Sequence, residues 1–253
     1  METFDIDTVD AKVGYLDYQL FTGKLDGLNF KSKTVINTIN QYSFCLAEKD
    51  LKFKQALKQA DILLPDGIGM VAAVSWQTNA CIRKISGSAL HAHLLNDLNQ
   101  IGGSCFYLGS CTETLQKLQQ RLALDYPYVQ AGFYSPPFKA AFSREDNEIM
   151  LTAINDFRPD VLFVGMTAPK QEIWIAENKN EINVPLICAI GAVFDFYAGT
   201  VKRPGKVWIK LGLEWLGRLL NEPKRLWKRY LYYGPVFVFL LVKYKLQGWF
   251  ILN

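Results

Sequence analysis

Six short apolar runs recur between residues 34 and 190, and helix-length segments fill every interval between them. The intervals predict helices over 41–59, 67–78, 88–101, 112–125, 144–157 and 169–182. Near-continuous apolar strands that alternate with helices are typical of an α/β fold, a parallel sheet with helices on both faces. Such sheets bind ligands outside the carboxyl ends of their strands, so the loops that follow the strands are the places to inspect. The apolar runs predict strands over 34–37, 62–64, 104–108, 128–133, 161–165 and 186–190.

Basic residues are concentrated in the last quarter of the chain. Of the 28 Lys and Arg, eleven lie in residues 196–253, where Glu214 and Glu222 are the acidic residues out of 24 in all. The net charge of +4 therefore combines a basic segment with a mildly acidic body. Such a segment indicates a surface for phosphate, nucleic acid or anionic lipid, or a solvated helix face without a ligand. We divide the chain into an N-terminal extension (1–30), an α/β domain (31–200) and a basic, aromatic-rich, helical C-terminal appendage (201–253).

The longest uncharged stretch of the appendage is YLYYGPVFVFLLV, residues 230–242. As a helix it measures about 20 Å, which is shorter than the roughly 30 Å hydrocarbon core of a bilayer. Gly234-Pro235 also interrupts it. We therefore expect that it does not span a membrane. Aromatic residues surround it and lysines flank it, which suits a segment lying in the membrane interface.

Composition and cysteine usage indicate a cytosolic globular protein. The residues are 50% hydrophobic and 21% charged, which excludes a disordered chain. Five cysteines are an odd number and occur without Cys-x-x-Cys spacing, so a disulfide framework is not expected. The N-terminus, METFDIDTVDAK, is acidic where an export signal is basic and then apolar.

Polar residues follow the first two predicted strands. Asp66 stands in LLPDGIGMV, where a carboxylate is either a helix cap or a group that accepts a proton from a bound substrate. Gly67 permits close approach of the backbone to a ligand, although no third glycine completes a dinucleotide fingerprint. Thr38 and Asn40, in NTIN, offer a hydroxyl and an amide to the same crevice, or bond locally within a turn.

The later strand ends carry a second set of candidates. Lys170 and the free backbone N–H groups of MTAPKQE suit an anion, and Gln171 suits a sugar or a base. Asp195, in GAVFDFYAG, suits the hydroxyls of a sugar or ribose, or caps a helix. The remaining candidate contacts to a substrate are Gly109, Glu172, Gly191 and the cation Arg83, with Lys84 beside it.

No signature of metal or triad chemistry is readable. His91 and His93 are the only histidines, and their spacing within a predicted helix favours packing or surface roles over metal binding. An Asp-x-Asp pair, the usual carboxylate signature for a metal-bound nucleotide sugar, does not occur near a strand end. We therefore expect a site without a metal or another cofactor, in which arginines, lysines and backbone amides stabilise negative charge.

Taken in order, these motifs resemble the WecG/TagA/CpsF glycosyltransferase family, glycosyltransferase family 26. Each motif is modest alone, whereas the ordered set is specific and covers about residues 30–235. The matching pieces are NTIN (37–40), LLPDGIGMV (63–71), RKISGSAL (83–90), YLGS (107–110), GFYSPPF (132–138), RPDVLFVGMTAPKQEIWI (158–175), AIGAVFDFYAGTVKRPGKVW (189–208) and LGLEWLGRLLNEPKRLWKRY (211–230).

The resemblance implies a Rossmann-like enzyme, peripheral at the cytoplasmic face of the membrane. Such an enzyme transfers a sugar from a UDP-sugar to a polyprenyl-diphosphate-linked acceptor in envelope polysaccharide or teichoic acid synthesis. The implied reaction moves N-acetylmannosamine with inversion; glucose and N-acetylmannosaminuronic acid are alternative donor sugars. The resemblance makes Asp66 the catalytic base, with Thr38 beside it. It also places Arg218, Arg225 and Arg229 in an appendage that docks on the membrane and completes the site. Arg203 is a further candidate for the diphosphate.

Three other classes compete with this interpretation. An NAD-dependent oxidoreductase requires a Gly-x-Gly-x-x-Gly turn after the first strand, which NTINQYSF lacks. A nucleic-acid-binding protein suits the charge, but Glu214 and Glu222 break the basic face, and we expect no nucleic-acid partner. A non-catalytic membrane-surface protein explains the appendage but leaves the polar strand ends without a role. The sequence leaves the oligomeric state open, and a homo-oligomer is compatible with it.

Overall fold

The computed structural model describes residues 12–27, 32–202, 204, 205, 208 and 212–252, with side chains as far as residue 247. A six-stranded parallel sheet forms its centre, in the order β4-β3-β8-β7-β5-β6. The predicted α/β class is therefore confirmed. The strands of this sheet are β3 (Thr34–Ile39), β4 (Ile62–Pro65), β5 (Ser104–Gly109), β6 (Gln130–Tyr134), β7 (Val161–Gly165) and β8 (Leu186–Ala189), and an antiparallel hairpin of β1 (Lys12–Tyr15) and β2 (Tyr18–Phe21) precedes them.

Helices cover both faces of the sheet, and alternate residues of each strand face one side or the other. Cys105 and Tyr107 of β5 join the core cluster under one layer, whereas Phe106 and Leu108 join the opposite cluster. The helices are α1 (Gln41–Ala47), α2 (Leu51–Lys58), α3 (Ile68–Thr78), α4 (Gly87–Ile101), α5 (Thr112–Asp125), α6 (Arg144–Phe157), α7 (Lys170–Asn178), α8 (Val193–Ala198), α9 (Glu214–Asn221), α10 (Pro223–Trp227) and α11 (Tyr233–Leu252).

The predicted helix over 41–59 is wrong as a single element. The chain turns between α1 and α2, and Asp50 begins α2 by accepting hydrogen bonds from the backbone N–H groups of Lys52 and Phe53. An aspartate at this position stabilises a new helix start more than it favours continuation of the old one. The last predicted helix, 169–182, ends earlier, at Asn178.

The hairpin and the last helix share one hydrophobic cluster with the first helices. Tyr15 and Tyr18 are fully buried, and Phe237 of α11 is 5% exposed and packs edge-on against Phe44 at 5.6 Å between ring centroids. The Tyr244 hydroxyl hydrogen-bonds the Glu48 carboxylate. Residues 12–21 and 233–244 therefore pack as parts of the α/β body, across the boundaries that we drew at residues 30 and 200.

The helix at the C-terminus begins within the predicted apolar stretch. A π-helical turn, Lys228–Tyr232, leads directly into α11. Pro235 is the third residue of α11, and the helix runs through Gly234-Pro235 without ending there. Among the described residues, no helix has both the length and the apolar character that a membrane crossing requires.

Candidate active site

A deep cleft of about 1450 Å³ lies at the carboxyl edge of the sheet. Its floor is formed by the ends of β3, β4, β7 and β8, and α9, α10 and the π turn form one wall. The volume exceeds the 300–1,000 Å³ of ordinary small-molecule sites, so the cleft has room for two substrates. Twelve of the residues predicted from the sequence line it: Thr38, Asn40, Asp66, Gly67, Lys170, Gln171, Glu172, Gly191, Asp195, Arg218, Arg225 and Arg229.

Of the other three predicted residues, two lie outside the cleft lining and one lies outside the described residues. Arg83 is exposed and outside the cleft lining, whereas its neighbour Lys84 lines the cleft and forms an ion pair with Glu214 at 2.9 Å. Gly109 is also not among the residues that line the cleft. It has a φ of +129°, and a Cβ there would come within 2.4 Å of the Gly165 carbonyl oxygen, so Gly109 allows two strand ends to approach closely. Arg203 lies outside the described residues.

Asp66 occupies the floor of the cleft immediately after β4. Its backbone N–H donates to the Ile39 carbonyl, which ties the residue to β3. The carboxylate caps no helix, since the N-cap residue of α3 is Gly67 and no side chain caps this helix. Among the described residues it has no hydrogen-bond or ion-pair partner. A carboxylate that faces a cleft and has no structural partner is available to accept a proton.

The surroundings of Asp66 shift its acidity in two directions. Burial raises the pKa of the carboxyl, and the Glu214 carboxylate adds to this effect. Lys84, Arg229 and Arg218 lower the pKa of Asp66. The net shift is upward, which makes the ionised carboxylate a stronger base than an exposed aspartate.

Thr38 and Asn40 flank the floor on the β3 side. Thr38 is the fifth residue of β3 and is in register with Leu64, two residues before Asp66. Asn40 caps α1, because its side-chain oxygen accepts from the backbone N–H groups of Tyr42 and Ser43. Asn40 therefore bonds locally, as one of its two predicted roles, and it also lines the cleft.

The C-terminal wall contributes three arginines. Arg218 stacks on Phe196 at 4.9 Å, and its buried Nε has no hydrogen-bond partner among the described residues. Arg225 pairs with Glu222 at 2.6 Å. Arg229 lies over the Tyr42 ring at 5.2 Å, and burial lowers the pKa of its guanidinium, with Arg218 adding to the effect. Three cations and a buried donor without a partner make this wall suitable for an anion such as a diphosphate.

The opposite wall follows β7 and β8. Lys170 donates to the Lys139 carbonyl at 2.5 Å and lies 3.5 Å from the centre of the Phe142 ring, so its ammonium is held at the rim of the cleft. Gly191, at a φ of +54°, turns the chain into α8 and presents Asp195 to the cleft. Burial raises the pKa of the Asp195 carboxyl, Arg225 lowers it, and Glu222 raises it. This wall offers amide and carboxyl groups where the arginine wall offers positive charge.

The histidines are distant from this chemistry. His91 is buried among aromatic rings and shares a hydrogen bond of 2.8 Å with the Tyr107 hydroxyl; burial lowers its pKa to about 3. This confirms the predicted packing role. Within the part of the chain that the structure describes, no three His, Cys, Asp or Glu side chains are grouped to hold a metal ion.

Outside the cleft, α11 exposes a second apolar face. Its inner face packs on the body through Phe237, and the opposite side presents large apolar side chains at helical spacing. Lys243 and Lys245, both exposed, lie on the two sides of this surface. We name it the outer stripe, which consists of Val238 (58% exposed), Phe239 (67%), Val242 (44%) and Leu246 (52%).

The protein therefore has an α/β fold whose parallel sheet carries, at its carboxyl edge, a cleft lined by several cationic side chains. The description "Glycosyl transferase WecG/TagA/CpsF family" belongs to a family model that matches residues 7–250. The chain belongs to this glycosyltransferase family.

Two curated relatives match over most of their length. Both have the name N-acetylglucosaminyldiphosphoundecaprenol N-acetyl-beta-D-mannosaminyltransferase. The protein of Bacillus subtilis (strain 168) is 29% identical over 201 residues, which is 79% of this chain and 76% of the relative. The protein of Bacillus spizizenii (strain ATCC 23059 / NRRL B-14472 / W23) is 27% identical over 226 residues, or 89% of this chain and 84% of the relative.

Sequence reasoning missed part of the site. Tyr42 and Trp215 line the cleft without having been singled out, and Glu214 was seen only as an interruption of a basic face. The position of Tyr42 two residues after Asn40 was the available signal for it. Nothing in the spacing connects Glu214 to Asp66, since 148 positions separate them and the fold alone brings them together.

Proposed function

We propose that the protein transfers a sugar from a UDP-sugar to a polyprenyl-diphosphate-linked acceptor, with inversion at the anomeric carbon. The observation that carries the proposal is that one cleft holds Arg218, Arg225 and Arg229 together with the Asp66 carboxylate, which has no hydrogen-bond or ion-pair partner among the described residues. The names of both relatives support an undecaprenyl-diphosphate-linked acceptor and N-acetylmannosamine as the transferred sugar.

In the proposed step, an acceptor hydroxyl gives its proton to Asp66 while its oxygen bonds to the anomeric carbon of the donor. The bond from that carbon to the β-phosphate oxygen breaks on the opposite face, and its electron pair leaves with UDP. A single displacement of this kind inverts the configuration. A positioned carboxylate base contributes about 10²–10⁴-fold to such a step.

The departing diphosphate requires positive charge, which the arginine wall supplies. Arg218 lines the cleft from α9, Arg225 from α10 and Arg229 from the π turn that follows. These donors are in place before the reaction, so they stabilise the developing charge without reorganising. The proposed chemistry therefore uses protein cations and no metal or other cofactor.

The remaining cleft groups suit the rest of the donor. Asp195 and Gln171 are suited to hydroxyl groups of the ribose or the sugar, and Lys170 holds its charge at the rim. A donor with a uronic acid needs an additional cation, and Lys84 is placed for this role in the cleft, whereas Arg83 is not. Glucose, N-acetylmannosamine and N-acetylmannosaminuronic acid are therefore the three donor sugars to compare directly in a transfer assay.

The outer stripe supplies the contact with the membrane that holds a lipid-linked acceptor. Apolar residues between lysines suit shallow insertion at an anionic surface, with each basic side chain near the surface contributing about 1 kcal/mol. Because the same C-terminal segment forms the arginine wall, docking would place the mouth of the cleft close to the lipid headgroups. We propose a peripheral position at the cytoplasmic face of the plasma membrane.

Transfer in the presence of EDTA tests the proposed function. We expect the protein to form product from UDP-N-acetylmannosamine and a short-chain diphosphate-linked N-acetylglucosamine acceptor, and to do so equally with EDTA present. Mass spectrometry of the product follows the reaction, with UDP-glucose and the uronic acid donor as parallel reactions. Activity that is lost in EDTA and restored by Mg²⁺ or Mn²⁺ would contradict the metal-free chemistry. No transfer from any of the three donors would favour a non-catalytic membrane-surface protein.

A further inference from the structure

A buried carboxyl group lies between the cleft and a second, small cavity. Glu172 is 2% exposed and Gln171, beside it in α7, is 3% exposed. Gln171 Nε2 donates to Glu172 Oε1 at 2.8 Å, and Gln171 Oε1 accepts from the Met166 backbone N–H at 3.1 Å. Because the Met166 contact fixes which end of the amide is oxygen, Glu172 accepts through Oε1 in this arrangement.

The other oxygen of Glu172 and the amide oxygen of Asn37 both need a hydrogen-bond donor. Glu172 Oε2 and Asn37 Oδ1 are both buried without a partner among the described residues, and both residues line one small cavity of about 10 Å³. Asn37 Nδ2 donates to the Ala56 carbonyl at 3.3 Å, which fixes its amide with the oxygen as the remaining group. Burying two hydrogen-bond acceptors around one cavity lowers the stability of the fold unless a donor hydrogen lies between them.

We propose that Glu172 is a positioning residue that works as a neutral carboxylic acid. Its O–H donates toward Asn37 Oδ1, directly or through one water molecule, while its other oxygen holds Gln171. The cavity is close to the smallest space that accommodates one water. This arrangement satisfies both buried oxygens and leaves no uncompensated buried charge.

The charges around Glu172 agree with a neutral group. Of the residues that line the small cavity, Lys179 is the charged one besides Glu172, and its ammonium is bound to Asp61 at 3.0 Å. Burial raises the pKa of Glu172 from 4.5 to about 7, against the opposing effect of the hydrogen bond from Gln171. The protonated form is therefore available at and below neutral pH.

Gln171 connects Glu172 to the two loops of this cleft wall, which follow β7 and β8. The Gln171 amide holds the Met166 backbone after β7, and it lies so close to the next turn that a Cβ on Gly191 would be 3.5 Å from Nε2. Asn37, at the other end of the link, is the residue before Thr38 in β3. Protonated Glu172 thus fixes one side of the floor relative to the other.

The pH dependence of stability tests the charge state without any assay of transfer. A carboxyl group whose pKa is raised on folding favours the folded state below its unfolded pKa, and this contribution falls as pH rises toward about 7 and beyond. Glu172→Gln copies the neutral acid at every pH. We expect equal melting temperatures for wild type and Glu172→Gln at pH 5, and a variant that is more stable by several degrees at pH 8. A difference that stays constant between pH 5 and 8 would overturn the proposal.

Kinetics test the positioning role, and this arm rests on the proposed transferase function. Wild-type kcat should decline above about pH 7, whereas the kcat of Glu172→Gln, relative to its own value at pH 6, should stay level over the same range. Glu172→Ala should lower kcat about tenfold or more, because a displaced floor misaligns the reacting groups. Equal losses in Glu172→Gln and Glu172→Ala would mean that the charged form is needed. If stability behaves as expected and no variant or wild type transfers sugar, the transferase proposal fails and the neutral acid stands.

Discussion

Replacing Asp66 with asparagine is expected to lower turnover by at least roughly two orders of magnitude, as the loss of a general base does. Asparagine has the same shape and cannot take the acceptor proton. The carboxylate makes no hydrogen bond with the described residues that the amide would break. Because burial raises the pKa of Asp66, its charge opposes folding, and the neutral variant should be at least as stable as wild type at pH 7.

The measurement is kcat at saturating acceptor, accompanied by the melting temperature with and without UDP. Asp97→Asn is the matched control, since Asp97 is a surface carboxylate with 55% of its side chain exposed and lies outside the cleft lining. The control should have the turnover of wild type. Turnover of Asp66→Asn within a fewfold of wild type, with normal UDP binding, would make Asp66 a structural residue.

The double variant Phe239→Ser with Val242→Ser is expected to weaken binding to anionic vesicles by at least about tenfold, because burying one large apolar side chain contributes roughly 1.5–3 kcal/mol. Both residues belong to the outer stripe and face away from the body, so the fold should be kept. Co-sedimentation with vesicles containing phosphatidylglycerol, at low and high salt, gives the affinity. Transfer to a short-chain soluble acceptor should remain close to wild type.

Ile101→Ser with Leu124→Ser is the matched control for this variant. These side chains are 76% and 83% exposed on helices outside the appendage. Their removal deletes a comparable apolar area and should leave vesicle binding unchanged. If the outer-stripe variant sediments with vesicles as wild type does, the outer stripe is not the docking surface. Equal losses of vesicle binding in both variants would indicate general apolar adsorption.

Point variants are preferable to removal of the appendage. We expected from the sequence that residues 31–200 form a domain to which residues 201–253 are attached. In the structure, Phe237 fills a cluster with Phe44 and Tyr15, and Gln77 donates to the Leu241 carbonyl at 3.1 Å. Ending the chain near Thr200 would uncover this cluster as well as remove the arginines. The outer-stripe variant changes the membrane contact and leaves the hydrophobic cluster and the arginines in place.

The sheet was predictable because its strands are nearly continuous apolar runs. The short hairpin at residues 12–21 was not, since its strands have four residues each and are buried by contact with α1 and α11 rather than by their own pattern. Asp66, Thr38 and Asp195 could be found at strand ends, because parallel topology sends every such end to one edge. Glu172 was named for its motif, but its position at a small cavity shared with Asn37 depends on how α7 packs against α2 and β8.

The arginine wall could be assigned to the cleft only through the family resemblance. Arg218, Arg225 and Arg229 follow the sheet in sequence, and no periodicity predicts that their helices return to its edge. Their charge pattern alone is equally typical of a membrane or nucleic-acid surface. The fold places Arg218 and Arg229 near Asp66 and Arg225 near Asp195, and so links the appendage to the cleft.

The pH dependence of kcat/KM tests most directly whether Asp66 is the base. Activity should rise with pH through the pKa of Asp66, at a midpoint above the ordinary value of 3.8. Lys84 lowers this pKa and Glu214 raises it, so Lys84→Met should move the rising limb to higher pH and Glu214→Gln to lower pH. We predict these opposite displacements, and a rising limb that is absent in Asp66→Asn. A limb that stays in place in both variants, or that persists in Asp66→Asn, would contradict the assignment of Asp66 as the catalytic base.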